Sequence, residues 1–153
     1  MSFETISVIG LGYIGLPTAA MFASKQRHVI GVDVNKHATD IINAGKIHIV
    51  EPELDLMVKE AVERGFLKAT CSPQSADAFL VVVPTPFLPL DSEGITPQPD
   101  LTFIQSAAIS IAKVLKKGDL VILESTSPVG TTEKMARWMA EVRPDLSFPQ
   151  THG

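Results

Sequence analysis

The sequence predicts an α/β domain built on a doubly wound parallel sheet with helices on both faces. Short apolar segments rich in β-branched residues alternate with longer segments of helical pattern along the whole chain. A continuous apolar run between Asp77 and Pro84 is typical of a central parallel strand that is covered on both faces. A glycine-rich turn joins the first apolar segment to the first helix. These three observations together favour strands and helices that cross back and forth over one sheet.

The first half of the chain is predicted to contain three strands. A helical pattern that begins near Tyr13 follows the first of them. Gly45 and Gly65 stand where glycine commonly follows the end of a helix. The third strand contains Cys71, which we expect to be a buried and inert thiol. The predicted elements of this half are strand 5–10, a helix from residue 13, strand 28–33, a helix to about residue 44, a helical run through residue 64 and strand 66–72.

The second half is predicted to add two strands and two helices. Proline and glycine are too dense in residues 85–100 for regular structure, so we expect a loop there. Asp100 is placed to cap the helix that follows this loop. The predicted elements of this half are strand 77–84, loop 85–100, helix 101–115, strand 120–126 and helix 131–142.

Composition narrows the possible functions. The chain has 153 residues, of which 45% are hydrophobic, so a single domain with a substantial core is expected. The formal net charge is −4 and the lysines and arginines are scattered, which argues against nucleic acid or a membrane surface as a partner. One cysteine and four histidines without ligand spacing predict no metal site and a reducing, cytoplasmic compartment. No basic residue precedes the amino-terminal apolar run, so we expect neither a signal peptide nor a membrane segment.

The glycine-rich turn, VIGLGYIGLP, has the spacing of a dinucleotide site. In a Rossmann-type turn, a glycine at the position of Gly10 permits the sharp bend and one at Gly12 lets a pyrophosphate approach the backbone. A glycine at Gly15 lets the helix pack closely on the strand, and the helix terminus offers free N–H groups to phosphates. The motif alone is weak, because such turns also arise for packing. The motif indicates a dinucleotide site only in combination with its position between a predicted strand and a predicted helix.

Asp33 gives the turn its main support. It ends the second predicted strand 18 residues after Gly15, close to the roughly 20-residue offset of an acid that binds the adenosine ribose. An ionised carboxylate accepts from the ribose hydroxyls and repels a 2′-phosphate, so NAD is favoured over NADP. The alternative is that Asp33 only caps the next helix, a role that Asn35 could equally take. Since ligands lie beyond the carboxyl ends of parallel strands, Thr85 and Thr126 should converge with Asp33 and the glycines on one crevice.

Four separated motifs resemble one family over essentially the whole chain. They are GLGYIGLP, GVDVNKH, VVVPTPF and LESTSPVGTTE, each following a predicted strand. The sequence is thereby identified as similar to the NAD-dependent UDP-sugar 6-dehydrogenases, which oxidise the C6 hydroxymethyl group of a nucleotide sugar to a carboxylate and reduce two NAD. The resemblance implies that Thr126 also helps to place the catalytic water, and it leaves Glu124 either a cofactor neighbour or a plain surface charge. The implied cofactor-binding residues are Gly10, Gly12, Tyr13, Ile14, Gly15, Asp33, Lys36, Thr85 and Thr126.

The departures from this family are as informative as the matches. The family's nucleophile is a cysteine in a GGHC-like stretch, which this sequence lacks. Cys71 has no glycine neighbours and does not match it. We therefore expect residues 1–153 to be the NAD-binding domain of a longer enzyme, without the central helix and the UDP-sugar domain. Such a chain would bind NAD but not oxidise a UDP-sugar, and the full-length parent would be a homodimer or a larger assembly.

Within the family, the motifs after the fourth and fifth strands are most similar to those of the bacterial UDP-N-acetyl-D-mannosamine dehydrogenases, which act in polysaccharide biosynthesis. UDP-glucose and UDP-N-acetylglucosamine 6-dehydrogenases remain as alternatives, and 2-hydroxyacid or 6-phosphogluconate dehydrogenases are more remote ones. An alternative of another class is a stand-alone module that senses NAD without catalysis. A doubly wound domain whose glycine turn serves packing alone is the last alternative.

Overall fold

A computed structural model describes residues 2–90 and 96–149 of the chain. Five parallel strands form one sheet in the order β3-β2-β1-β4-β5. The chain winds outward from β1 to β3, then crosses to the other side of β1 and continues through β4 to β5. The strands are β1 (Thr5–Ile9), β2 (His28–Val32), β3 (Leu67–Thr70), β4 (Ala78–Val81) and β5 (Leu120–Leu123).

Helices cover both faces of the sheet, as a doubly wound fold requires. The first three helices share one apolar cluster with the sheet, and the last two share another on the opposite face. The predicted fold class is therefore confirmed. The helices are α1 (Gly15–Ser24), α2 (Lys36–Asn43), α3 (Leu54–Glu63), α4 (Thr102–Ala112) and α5 (Thr131–Val142).

Strand β1 is the middle strand of the sheet and contributes side chains to the apolar clusters on both faces. Ile6 and Val8 point into the cluster formed with α1 and α3, whereas Ile9 points into the cluster formed with α4 and α5. Phe79 of β4 is fully buried in the second cluster, and its burial stabilises the folded domain by about 1.5–3 kcal/mol. The strand order reverses between β1 and β4, so the fold opens a crevice at their carboxyl ends.

The predictions for Cys71 and Asp100 need correction. Cys71 is neither on a strand nor buried, because β3 ends at Thr70, where its partner β2 ends at Val32. Asp100 precedes the cap position of α4 by one residue, although its carboxylate still accepts the Thr102 N–H at 2.9 Å. Hydrogen bonds from Thr102 lower the pKa of the Asp100 carboxyl.

The segment predicted as loop 85–100 contains some backbone pairing. Phe87 and Pro99 form an isolated antiparallel bridge, and the Leu88 N–H donates to the Gln98 carbonyl at 2.8 Å. Residues 91–95 lie outside the described part of the chain. The observed strands are also shorter than predicted.

Candidate functional site

The turn after β1 is shaped by a backbone that only glycine adopts readily. Gly10 has φ +101° and donates its N–H to the Val32 carbonyl of β2 at 2.8 Å. A Cβ at Gly10 would overlap the Val82 carbonyl group, whose carbon would lie 2.8 Å away. The turn is thus held between β2 and the chain that leaves β4.

Gly12 and Gly15 are glycines for different reasons. A Cβ at Gly15 would overlap the Gly10 carbonyl oxygen and lie 3.6 Å from Cγ1 of Val8, so Gly15 permits the close packing of α1 on the turn. A Cβ at Gly12 would have no protein atom within 4 Å. Protein packing therefore does not require glycine at residue 12, and its missing side chain leaves the backbone accessible from the crevice.

The start of α1 presents unpaired donors. The cap residue Ile14 has no side-chain acceptor for the N–H groups of the first helical turn. Within the described part of the chain, the backbone N–H groups of residues 12–15 have no acceptor. Unpaired amides at a helix amino terminus, together with the helix dipole, form a site that favours an anion such as a pyrophosphate.

Asp33 is fixed beside this turn. Its Oδ2 accepts the Leu11 N–H at 3.1 Å and its Oδ1 accepts the Asn35 N–H at 2.9 Å. The cap of α2 is Asn35, whose Oδ1 accepts the N–H of His37 at 3.0 Å. Asn35, and not Asp33, therefore caps α2. An ionised carboxylate has about four acceptor positions, so Asp33 retains positions for a ligand.

Hydroxyl groups tie the carboxyl ends of β4 and β5 together. Thr85 Oγ1 donates to the Thr126 carbonyl at 2.7 Å, and Ser125 Oγ donates to the Val83 carbonyl at 2.8 Å. The backbone N–H of Glu124 donates to the Val81 carbonyl at 2.9 Å. Thr85 and Thr126, which lie 41 positions apart in the sequence, are therefore direct neighbours.

One open cavity of about 640 Å³ connects these features. Most of the cofactor-binding residues predicted from the sequence line this cavity, including Gly10, Asp33, Thr85 and Thr126. Gly15 is absent from its wall because it packs behind the turn. The lining residues are Ile9, Gly10, Leu11, Gly12, Tyr13, Ile14, Val32, Asp33, Val34, Cys71, Pro73, Val82, Val83, Pro84, Thr85, Phe103, Ser106, Ala107, Ser110, Glu124, Ser125 and Thr126.

Lys36 does not reach this cavity in the structure. Its ammonium group donates to both carboxylate oxygens of Asp40, at 2.9 and 2.8 Å, one turn along α2. These hydrogen bonds raise the pKa of Lys36. A contact between Lys36 and a ribose thus remains a prediction that needs this ion pair to open.

Sequence reasoning missed one wall of the cavity. Phe103, Ser106 and Ser110 of α4 line it. Their spacing of three and four residues places them on one face of the helix, where two serines interrupt an otherwise apolar pattern. That polar interruption was the available signal. Cys71 lines the cavity too, and its Sγ lies 3.7 Å from Thr39 Oγ1.

The geometry suits a dinucleotide that carries no additional phosphate. The unpaired amides and the open face of Gly12 suit a pyrophosphate, and Asp33 suits a ribose diol. Among the described residues that line the cavity, the charged ones are Asp33 and Glu124. Since both are acidic, the site has no cation there to balance the 2′-phosphate of NADP.

The described residues contain neither a membrane-spanning helix nor a cluster of metal ligands. In residues 2–90 and 96–149, no helix is both long and apolar enough to cross a membrane. Over the same ranges, no three His, Cys, Asp or Glu side chains lie together in a way that could hold a metal ion.

Comparison with known proteins agrees with this geometry. The UDP-N-acetyl-D-mannosamine dehydrogenase of Yersinia pestis is 70% identical over all 153 residues, and the chain spans 35% of that protein. The NDP-N-acetyl-D-galactosaminuronic acid dehydrogenase of Ralstonia nicotianae is 61% identical over the same 153 residues, which again span 35% of the relative. A solved UDP-N-acetyl-mannosamine dehydrogenase from Staphylococcus aureus superposes with a TM-score of 0.84 at 35% identity, covering 94% of this chain and 34% of that chain.

The family assignment rests on almost the entire sequence. Residues 4–151 match the NAD-binding domain of the UDP-glucose/GDP-mannose dehydrogenase family. This match confirms the resemblance inferred from the motifs, and it confirms NAD as the cofactor. The chain therefore belongs to the UDP-glucose/GDP-mannose dehydrogenase family and forms its NAD-binding domain.

Proposed function

We propose that this chain is the cofactor domain of a UDP-N-acetyl-D-mannosamine dehydrogenase. The observation that carries this proposal is 70% identity over the whole chain to a protein of that name. The complete enzyme would oxidise the C6 hydroxyl of UDP-N-acetyl-D-mannosamine to a carboxylate with two NAD. Residues 1–153 would serve as one domain, with a central helix and a UDP-sugar domain supplied by the rest of the protein. We place the enzyme in the cytoplasm, as a homodimer or a larger assembly.

Residues that follow four of the strands would hold NAD. The amides of Gly12, Tyr13 and Ile14 would bind the pyrophosphate, while Asp33 would accept hydrogen bonds from the adenosine ribose. Thr85 and Thr126 would border the nicotinamide half.

Bound NAD supplies the acceptor for the hydride that leaves C6 of the sugar. The contribution of this domain to the chemistry is to fix the position of that acceptor. Thr126, which we place next to the nicotinamide, would also orient the water that attacks the oxidised carbon. The hydroxyl of Thr126 would hold that water as a hydrogen-bond partner.

Nothing in residues 1–153 matches the nucleophile that such a reaction needs. The chain's one cysteine, Cys71, has its Sγ 3.7 Å from Thr39 Oγ1 and follows β3, the strand at the opposite edge of the sheet from β5, which precedes Thr126. We therefore propose that the isolated chain binds NAD and produces no NADH from a UDP-sugar.

A second candidate substrate has a specific observation in its favour. The relative from Ralstonia, named an NDP-N-acetyl-D-galactosaminuronic acid dehydrogenase, is 61% identical to the chain over the same residues. The identity is lower than for the mannosamine enzyme, and both names describe N-acetylated sugars. UDP-glucose and UDP-N-acetylglucosamine are further alternatives that an assay separates.

The substrate assignment is tested with the full-length gene product that contains these residues. We expect two NADH per sugar from UDP-N-acetyl-D-mannosamine, and a kcat/KM at least about tenfold lower for the galactosamine, glucosamine and glucose analogues. The 153-residue chain alone should give no absorbance change at 340 nm with any of them. Preference for another sugar would overturn the substrate assignment, and NADH production by the isolated chain would overturn its proposed inactivity.

The cofactor assignment is tested at Asp33. Asp33→Asn keeps the shape of the side chain but removes its charge, so one charge-assisted hydrogen bond of about 1.5–3 kcal/mol weakens. We expect calorimetric titration to show NAD binding weakened by about tenfold or more. The preference for NAD over NADP should narrow at the same time, because the repulsion of the 2′-phosphate is lost.

Asp55→Asn is the matched control for this experiment. Asp55 is exposed on α3 and lies outside the cavity, so the same change of charge should leave both affinities unaltered. Equal NAD affinity in the wild type and in Asp33→Asn would remove Asp33 from the proposed site.

A further inference from the structure

We propose that the Glu124 carboxylate biases the site toward the oxidised cofactor, favouring the cationic nicotinamide ring of NAD⁺ over the neutral ring of NADH. This inference rests on the proposed function, because it takes NAD to lie in the crevice with its nicotinamide half near β5. It assigns Glu124 as a specificity-determining residue.

The position of Glu124 is set by the sheet. Glu124 directly follows β5, and its N–H donates to the Val81 carbonyl of β4 at 2.9 Å. This bond fixes the Glu124 backbone at the carboxyl ends of β4 and β5. The side chain is exposed and lines the same cavity as Thr85 and Thr126.

Asp33 and Glu124 occupy opposite ends of the crevice. Asp33 follows β2 and Glu124 follows β5, and the strand order separates β2 from β5 by three strand spacings, or about 14 Å. The glycine turn after β1 lies between them. A dinucleotide whose pyrophosphate binds at that turn has one nucleoside on each side. With the adenosine ribose on Asp33, the nicotinamide half extends toward Glu124.

The charge of Glu124 is not neutralised locally. Within the described part of the chain, no lysine or arginine lines the cavity or forms an ion pair with Glu124. Oxidised nicotinamide carries a positive charge, and reduction by hydride transfer removes it. An uncompensated carboxylate that lines the crevice therefore stabilises the oxidised ring selectively.

The predicted consequence is a lower Kd for NAD⁺ than Glu124 variants would give, relative to the Kd for NADH. For a carboxylate and a ring separated by several ångströms of partly hydrated crevice, we expect the electrostatic preference to be about three- to tenfold in affinity. The same preference promotes exchange of NADH for NAD⁺ between the two oxidation steps of one sugar.

The experiment measures Kd by calorimetry for NAD⁺, NADH and ADP-ribose on the 153-residue chain. In Glu124→Gln, the ratio of Kd for NADH to Kd for NAD⁺ should fall about three- to tenfold, and in Glu124→Lys it should fall further. ADP-ribose carries the adenosine and the pyrophosphate but no nicotinamide, so its Kd should stay within about twofold of the wild-type value. Glu141→Gln is the matched control, because Glu141 is exposed on α5 outside the cavity.

The outcomes separate this inference from the function on which it rests. If NAD⁺ and ADP-ribose both fail to bind the wild-type chain, the proposed function fails. If both bind and Glu124→Gln leaves the ratio unchanged, or shifts NAD⁺ and NADH in parallel, the role of Glu124 is overturned. Thermal melting of each variant identifies any loss of folding, and the Glu124→Lys series provides an independent second measurement of the ratio.

Discussion

Gly12→Val is expected to weaken NAD binding at least about 100-fold while changing the Tm by no more than about 2 °C. No protein atom lies within 4 Å of a Cβ at residue 12, so the new side chain projects into the crevice without disturbing the fold. There it would separate the pyrophosphate from the amides at the start of α1. Loss of two charge-assisted hydrogen bonds, at about 1.5–3 kcal/mol each, corresponds to a factor of at least about 100 in Kd.

Calorimetric titration with NAD and a thermal melt check this expectation. Gly12→Ala is the graded companion, and its single methyl group should produce a smaller loss of affinity with an unchanged Tm. If Gly12→Val binds NAD as tightly as the wild type does, the pyrophosphate does not cross this turn.

Gly15→Ala is expected to have the opposite profile, with its main effect on folding. The added Cβ would overlap the Gly10 carbonyl oxygen, and a backbone atom cannot move aside as the end of a flexible side chain can. Relieving the overlap requires α1 to move away from β1, across the cluster that contains Val8 and Leu16. We expect a loss of at least about 3 kcal/mol in the free energy of unfolding, or on the order of 10 °C in Tm.

Urea denaturation followed by circular dichroism measures this loss. Gly12→Ala serves again as the control, since it introduces the same methyl group three residues earlier into open space. A Gly15→Ala protein with wild-type stability would show that α1 does not pack on the turn as described. A variant too unstable to purify, beside a well-folded Gly12→Ala, supports the expectation.

The fold and the floor of the site were predictable because their determinants are local. The glycine spacing, the acid at the end of β2 and the apolar run of β4 each specify structure within a few residues. Thr85 and Thr126 could be placed together without knowledge of any side-chain contact. Carboxyl ends of adjacent parallel strands must meet at one edge, and at that edge Thr85 donates a 2.7 Å hydrogen bond to the Thr126 carbonyl.

Features set by tertiary neighbours could not be predicted in the same way. Cys71 belongs to the strand predicted from the sequence, but the ladder ends one residue earlier, at the pair Val32 and Thr70. The contribution of α4 to the cavity depends on how that helix is rotated against the sheet. Ser106 and Ser110 hint at this rotation, yet serines on one helix face are equally typical of a solvent-facing surface.

The two backbone bonds to Asp33 have a consequence for how affinity is distributed between folding and binding. Leu11 and Asn35 hold the carboxylate in one rotamer in the absence of any ligand. The free-energy cost of ordering that side chain, about 0.5–1.5 kcal/mol, is therefore incurred when the chain folds rather than when a ribose binds. Asp33 is preorganised, and part of the domain's stability is permanently committed to keeping it so.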